Sequence, residues 1–297
     1  MTIEWYPGHM GKAKQQISEL IRDVNVVIEV LDARLPSSSS NRLLQELRRS
    51  KPCIKVLNKS DLADPSVTKA WVRTLEKQSG VRALPLSAKH YRETSQITKL
   101  CKLLAPNRGK PGNSLRIMVV GIPNVGKSTL INTLAGKSMA KVGDRPAITT
   151  CPQRIDLGNN IILSDTPGLL WPDMKDQTAA YRLASSGAIG EGAFDYTDVG
   201  LFAALFMMQR YRELLMTRYR FTEVPDNPTG LLEHIGRRLG CLVSGGQVDL
   251  NRAAEAFLRE LRAGKIGRIS FEEPTEFPDA ADTIASPSSA LTSTNPQ

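Results

Sequence analysis

The residues best equipped for chemistry are Gly121-Ile-Pro-Asn-Val-Gly126-Lys127-Ser128. Glycines at both ends of such a loop let backbone N–H groups turn inward around an anion, and a following helix adds its positive end. Lys127 is expected to reach the β- and γ-phosphates of a nucleotide and the Ser128 hydroxyl to bind Mg²⁺. Asn124, Val125, Gly126 and Thr129 complete the expected phosphate contacts. A β-branched run, Arg116–Val120, precedes the loop and a helical pattern, Thr129–Leu134, follows it, which is the setting the motif requires. Downstream, Ile161-Ile-Leu-Ser ends on Asp165-Thr-Pro-Gly168. Asp165 is expected in the Mg²⁺ shell, and the Gly168 N–H is expected to approach the γ-phosphate.

A second pair of strings addresses a base. Asn58-Lys59-Ser60-Asp61 closes the run Cys53–Leu57. A carboxylate at Asp61 can accept from guanine N1–H and N2–H, a donor pair that adenine lacks. The Asn58 amide can brace the loop, and the Lys59 stem can cover the ring face. Ser87-Ala88-Lys89 closes the next run, where the Ala88 N–H could donate to guanine O6. A phosphoryl-transferring enzyme for adenine nucleotides would have no use for Asp61.

These loops need strands to carry them. Short β-branched runs recur at Asn25–Leu31, Cys53–Leu57, Arg82–Leu86, Arg116–Val120 and Ile161–Ser164, separated by helical patterns such as Asn41–Ser50 and Val67–Gln78. The alternation predicts an α/β fold with a doubly wound, mostly parallel sheet. Lys102 to Leu115, with its Pro, Gly and basic residues, reads as a connector. After Trp171-Pro172 the alternation stops, and from Asp176 to Ile269 the pattern is helical, clearest at Leu201–Tyr219, Gly230–Leu239 and Leu250–Ala263. The expected organisation is a first domain over 1–175, a small all-α C-terminal domain over 176–273, and a disordered tail over 274–297 rich in Ser, Thr, Pro and Ala.

Charge and cysteines narrow the setting. The chain carries +9, all 39 Lys and Arg precede Glu272, and Glu272, Glu273, Glu276, Asp279 and Asp282 close it, so the body is more basic than the total. Such a surface is either plain solvation or a partner rich in phosphate. No run of eighteen apolar residues exists, so no transmembrane helix is expected, and Met1-Thr-Ile-Glu-Trp5 does not read as a secretory or mitochondrial leader. Cys53, Cys101, Cys151 and Cys241 are far apart and suggest reduced thiols in a cytoplasm, not a zinc site or disulfides.

The motifs together are those of GTPases, in an unusual order, with the base-reading strings ahead of the phosphate loop. That order is physically allowed, because each loop only has to leave the carboxyl end of its own strand. The order, together with Asp32-Ala-Arg34-Leu-Pro36, resembles the circularly permuted P-loop GTPases. Trp5-Tyr-Pro-Gly-His9-Met-Gly-Lys-Ala13, Asp165-Thr-Pro-Gly-Leu-Leu-Trp-Pro172 and Gly264-Lys-Ile-Gly-Arg268 resemble the ribosome biogenesis GTPase A (YlqF-type) family in particular. The resemblance spans residues 1 to about 273. It implies GTP hydrolysis, action in late assembly of the large ribosomal subunit, and ribosomal RNA as the partner of the basic body, with the protein a cytoplasmic monomer. In switch I, Arg145-Pro-Ala-Ile-Thr-Thr150 has Ala147 where the family usually has Gly, and either Thr149 or Thr150 would supply the hydroxyl to Mg²⁺.

Many GTPases orient the attacking water with a Gln directly after the switch II Gly. Leu169 stands there, so the site is expected to turn over slowly alone. Asn124 resembles the Asn that holds a monovalent cation in potassium-stimulated GTPases, and His9, which the resemblance places near the switches, is the other candidate. His90 and His234 have no motif context. Phe202, Phe206, Met207, Met208 and Tyr211 are expected in a core rather than on a base-stacking platform. Because switch II runs directly into the helical domain, γ-phosphate contacts are expected to set that domain's pose. An RNA-binding protein with structural GTP is the alternative, disfavoured by the complete set Lys127, Ser128 and Asp165.

Overall fold

The computed structural model describes residues 17–136, 153–165 and 176–276. Six strands form one sheet in the order β3-β2-β1-β4-β6-β5: β1 Val26–Asp32, β2 Cys53–Asn58, β3 Val81–Pro85, β4 Leu115–Val120, β5 Gln153–Asp156 and β6 Ile161–Asp165. Five are parallel, and β5 runs antiparallel to β6 at the edge. The helices between them are α1 Arg42–Arg48, α2 Pro65–Leu75, α3 Tyr91–Leu104 and α4 Lys127–Ala135. Residues 17–22 are also helical.

The strand pattern follows from burial on both faces. Every residue of β1 is buried. Val26, Ile28 and Val30 join the large core on one face, while Val27 and Leu31 enter separate clusters on the other, around Ile17, Ile21 and Leu44 and around Trp71 and Leu75. Continuous apolar strands are what a helix-covered parallel sheet demands. Because these strands are parallel, their carboxyl ends emerge along one edge, and the order reverses between β1 and β4. A crevice at such a reversal is where open α/β sheets receive ligands.

Five further helices follow: α5 Gln177–Ser186, α6 Tyr196–Arg210, α7 Arg212–Tyr219, α8 Pro228–Leu239 and α9 Leu250–Arg262. Their starts are set by side-chain caps, with Asp176, Asp195, Asn227 and Asp249 each accepting from backbone N–H groups of the first turn. Their apolar faces, including Leu183, Met207, Leu232 and Phe257, belong to the same continuous core as the sheet. Met207 is fully buried, and Phe206 packs on Tyr211 and Phe271, in keeping with a core role. Cys53 and Cys101 are buried, and burial pushes both thiols up to about 12. Among the described residues no His, Cys, Asp and Glu group could hold a metal, and no helix is long and apolar enough to cross a membrane.

Three expectations are corrected. The helical run Leu201–Tyr219 breaks at Tyr211, whose backbone leaves the helical region at φ −136 and ψ 39. Its hydroxyl is drawn into a tertiary contact, donating to Ser270 O at 3.2 Å and accepting from Ser270 N at 2.9 Å. The edge strand β5 was not legible, because its one buried apolar residue, Ile155, makes no periodic pattern. The helical pattern extended to Ile269 ends instead at Arg262, and Ala263–Glu273 returns across the sheet domain. A 3₁₀ turn, Pro274–Glu276, then occupies the start of the expected tail, with Glu276 paired to Arg182 at 2.7 Å.

Glu272 anchors that return. It is fully buried, accepts from Ser37 N at 2.8 Å and Ser38 N at 3.1 Å, and takes the Ser38 hydroxyl as well. Its backbone oxygen accepts from Trp71 Nε1 at 3.0 Å. Burial, only partly offset by the Ser38 bonds and Arg182, raises its carboxyl from 4.5 to about 7. The folded state therefore holds this proton more tightly than the unfolded chain. Stability from this group is fullest below 4.5 and is lost as pH rises to about 7. Glu272→Ala is expected to cost about 1–3 kcal/mol in urea unfolding, through Ser37 and Ser38 N–H groups left without partners. The variant should also lose this part of the pH slope.

Candidate functional site

The carboxyl ends of β1, β2, β3 and β4 bring the two base-reading strings to the phosphate loop. Asn58, 3% exposed, makes the join: its Nδ2 donates to Val125 O at 2.6 Å and its Oδ1 accepts from Ala88 N at 2.8 Å. A Cβ at Gly126 would lie 2.3 Å from Asn58 Nδ2, and Gly126 sits at φ +98, so this position tolerates only glycine. Gly126 also caps α4, whose first turn holds Lys127, Ser128 and Thr129. Lys127 Nζ donates to Ile122 O at 2.8 Å, back across the loop. Ser128 and Thr129 are half-buried.

Lys59 is half-buried and ties three loops together. Its Nζ donates to Asp32 Oδ2 at 2.9 Å and to Asn124 O at 2.9 Å. Lys59 and Asn124 both adopt left-handed backbone, at φ +59 and +58, a cost that sites of this kind tolerate when surrounding bonds fix them. Burial lowers the Lys59 ammonium, with Asp32 opposing. Asp32 is fully buried, and burial would raise its carboxyl. The guanidinium of Arg34 and the ammonium of Lys59 outweigh that and hold it well below the usual carboxylate range. Arg34 forks onto Asp32 at 2.9 and 2.7 Å and also donates to Ser186 O at 3.0 Å.

The remaining predicted residues fall as follows. Asp61 is exposed, at the outer side of its turn, as is Lys89. Ser87 is buried and its N–H donates to Glu93 at 2.7 Å, while Ala88 O accepts from Thr133 Oγ1 at 2.7 Å. The Ala88 N–H, expected to face O6, is occupied by Asn58 Oδ1, so a base would have to share it. Asn124 Nδ2 donates to Gly187 O at 3.3 Å. Asp165 closes β6 opposite Val119, beside the root of the phosphate loop. Its side chain, together with His9, Thr149, Thr150 and Gly168, lies outside the described residues. His90, next to Lys89, pairs with Glu93, the carboxylate that accepts from Ser87 N, while His234 bonds Gly230 O within the helical region.

This edge gathers the N–H groups of the phosphate loop, Lys127, the Ser128 hydroxyl and the end of β6, with the exposed Asp61 carboxylate on the neighbouring loop. A separate cavity of about 330 Å³ lined by Arg22, Asn25, Lys51, Arg108 and Arg116 lies near the amino ends of the strands and holds none of these groups.

Comparison with known proteins agrees. Residues 116–197 match the family model described as 50S ribosome-binding GTPase. Ribosome biogenesis GTPase A of Bacillus cereus is 43% identical over 291 residues, covering 96% of this chain and 98% of its own. That of Thermotoga maritima is 36% identical over 274 residues, covering 92% and 95%. The GNP-bound crystal structure of YlqF from T. maritima superposes with a TM-score of 0.63 at 31% identity, covering 89% of this chain and 98% of that one. The GDP-bound structure of YlqF gives 0.64 at 31% identity, covering 88% and 99%.

This chain belongs to the ribosome biogenesis GTPase A family. It is accordingly a GTPase that binds guanine nucleotide on a permuted P-loop fold.

Reading the residues alone missed Asp32 and Arg34 as site members, although both stand in the string that carries the family resemblance. The available signal was an acid and an arginine at the end of a mostly apolar strand, where burial forces pairing. Glu93 and Thr133, which hold the Ser87-Ala88 backbone, gave no such signal.

Asp61 is the residue expected to choose the base. Asp61→Asn is expected to weaken GTP and strengthen XTP binding, each by at least about tenfold, because an amide N–H can face xanthine O2. Fluorescent-nucleotide titration measures both. Unchanged GTP affinity with no gain for XTP would show that this loop does not read the base.

Proposed function

We propose that this GTPase docks on the large ribosomal subunit in its GTP state and acts in late subunit assembly, as a cytoplasmic monomer. The observation that carries the reading is the Asn58 and Lys59 network, which fuses the base-reading and phosphate loops into one nucleotide-sized edge. GTP would lie with guanine on Asp61, its ring under the Lys59 stem, and its phosphates on the Gly121–Ser128 backbone. Lys127 would exchange its bond to Ile122 O for the β- and γ-oxygens. Ser128 and Asp165, with Thr149 or Thr150, would hold Mg²⁺, which neutralises charge on the phosphate oxygens. The Gly168 N–H would meet the γ-phosphate.

Leu169 cannot orient water, so turnover depends on a substitute. Asn124 Oδ1 would hold a potassium ion against the phosphates, and His9 is the alternative. The expected rate is higher in KCl than in NaCl at equal ionic strength, with Asn124→Ala erasing the difference. Equal wild-type rates in phosphate-release assays would remove the cation proposal and favour His9.

RNA binding draws on the basic helical region. Many arginines there are already committed: Arg218 to Glu260, Arg237 to Glu233, Arg259 to Glu255 and Arg210 to Glu273. Arg220, Arg238 and Lys265 are exposed outside these pairs and are the stronger candidates for phosphate. Charge alone would bind ribosomal RNA equally in both nucleotide states. The run from Gly168 into α5 predicts a difference of roughly tenfold, about 1.4 kcal/mol, favouring GTP. Binding to purified large subunits with GDP and with a non-hydrolysable GTP analogue, at two salt concentrations, measures it. Affinity should fall steeply with salt in both states. Equal affinity in both states would leave a basic RNA-binding protein without a switch.

A further inference from the structure

The loop that carries Asp61 is held from behind by residues that arrive from the far end of the chain. Arg268 places its guanidinium across the loop, with Nη2 donating to Ser60 O at 2.8 Å and Nε to Ala63 O at 2.9 Å. The next residue, Ile269, donates its N–H to Leu62 O at 3.0 Å. Ser270 Oγ then accepts from Asp64 N at 3.2 Å. Three consecutive residues thus bind the backbone on both sides of Asp61. Close approach is built in, since a Cβ at Gly264 would lie 2.7 Å from Leu62 Cδ2. From its own side the turn is closed by Leu62 N donating to Lys59 O at 2.9 Å and Ala63 N to Ser60 O at 3.4 Å, and it is tied to the sheet at its start through Asn58 and through Ser60 N, which donates to Leu86 O at 3.2 Å. Asp61 itself is exposed, so its carboxylate direction depends on how the Ser60–Ala63 turn is held.

We propose that Arg268 is a positioning residue for guanine recognition, acting through the Ser60–Ala63 turn to aim the Asp61 carboxylate. This rests on the reading of Asp61 as the base acceptor. It gives the helical region a second route to the nucleotide, at the base and independent of the switch segments. Arginine suits the task because its planar fork offers Nε and Nη2 as two donors in fixed relative positions, matched here to the carbonyls of Ser60 and Ala63, whereas a lysine has a single rotatable ammonium nitrogen.

The test compares GDP with IDP, which lacks the 2-amino group and so loses one of the two donors to Asp61. Affinities are measured for the full chain carrying Asp61→Ala, Arg268→Ala, Arg268→Lys or Arg259→Ala. The last removes an equal charge from an exposed pair on α9. In the wild type GDP should be preferred. Asp61→Ala should bring the ratio close to one, and Arg268→Ala should lower it at least about fivefold, by misaligning a charge-assisted pair of bonds. Arg268→Lys should recover part of it, and Arg259→Ala should leave it unchanged. In the Asp61→Ala background, Arg268→Ala should change the ratio no further, which separates aiming from general loosening. A wild-type ratio in folded Arg268→Ala, with the ratio collapsed in Asp61→Ala, overturns the inference. An unchanged ratio in Asp61→Ala instead overturns the base reading beneath it. If Arg268→Ala does not fold, Arg268→Lys decides: an intermediate ratio supports the inference and a wild-type ratio overturns it.

Discussion

A carboxylate removed from water at the end of the central strand sets the arrangement of everything around it. Asp32 is wholly buried, and a lone buried charge is too costly to persist. Two cations meet it, and each brings a different part of the molecule. Lys59 carries the base-reading loop and reaches on to the phosphate loop at Asn124 O. Arg34 reaches the end of α5 at Ser186 O. One anion shared by two cations leaves a net positive charge beside the loop that must receive phosphates. Electrostatics that fasten the loops together therefore also favour the ligand.

Around that hub the site is a set of backbone groups held by side chains. Asn58 holds Val125 O and Ala88 N, Thr133 holds Ala88 O, and Glu93 holds Ser87 N. The Ser87 N–H keeps the Glu93 carboxyl below its ordinary range, with His90 helping. Preorganisation of this kind matters because donors already aimed need no reorganisation when charge appears.

The helical region is not an appendage on this framework. Its core is continuous with that of the sheet, and its bonds reach the phosphate loop through Gly187 and the Asp32 loop through Ser186. The returning segment seats Glu272 over Ser37 and Ser38 and lays Phe271 N on Arg34 O at 2.7 Å. The helical region thus touches both the phosphate loop and the Asp32 loop directly, without intervening residues.

Much of this was legible in the residues. Apolar runs ending in polar strings located five strands and the loops that leave them, because burial on both faces forces continuous apolar strands and the polar residues that follow must lie at the edge. The guanine-nucleotide motifs were legible because glycines, a lysine and an acid at motif spacing have few other uses. Tertiary structure alone decided the rest. The kink at Tyr211, the occupation of the Ala88 N–H by Asn58 and the grip of Arg268 on the Asp61 loop all arise between residues distant in the chain. Local periodicity and propensity carry no record of such contacts, which exist only once the chain has closed on itself.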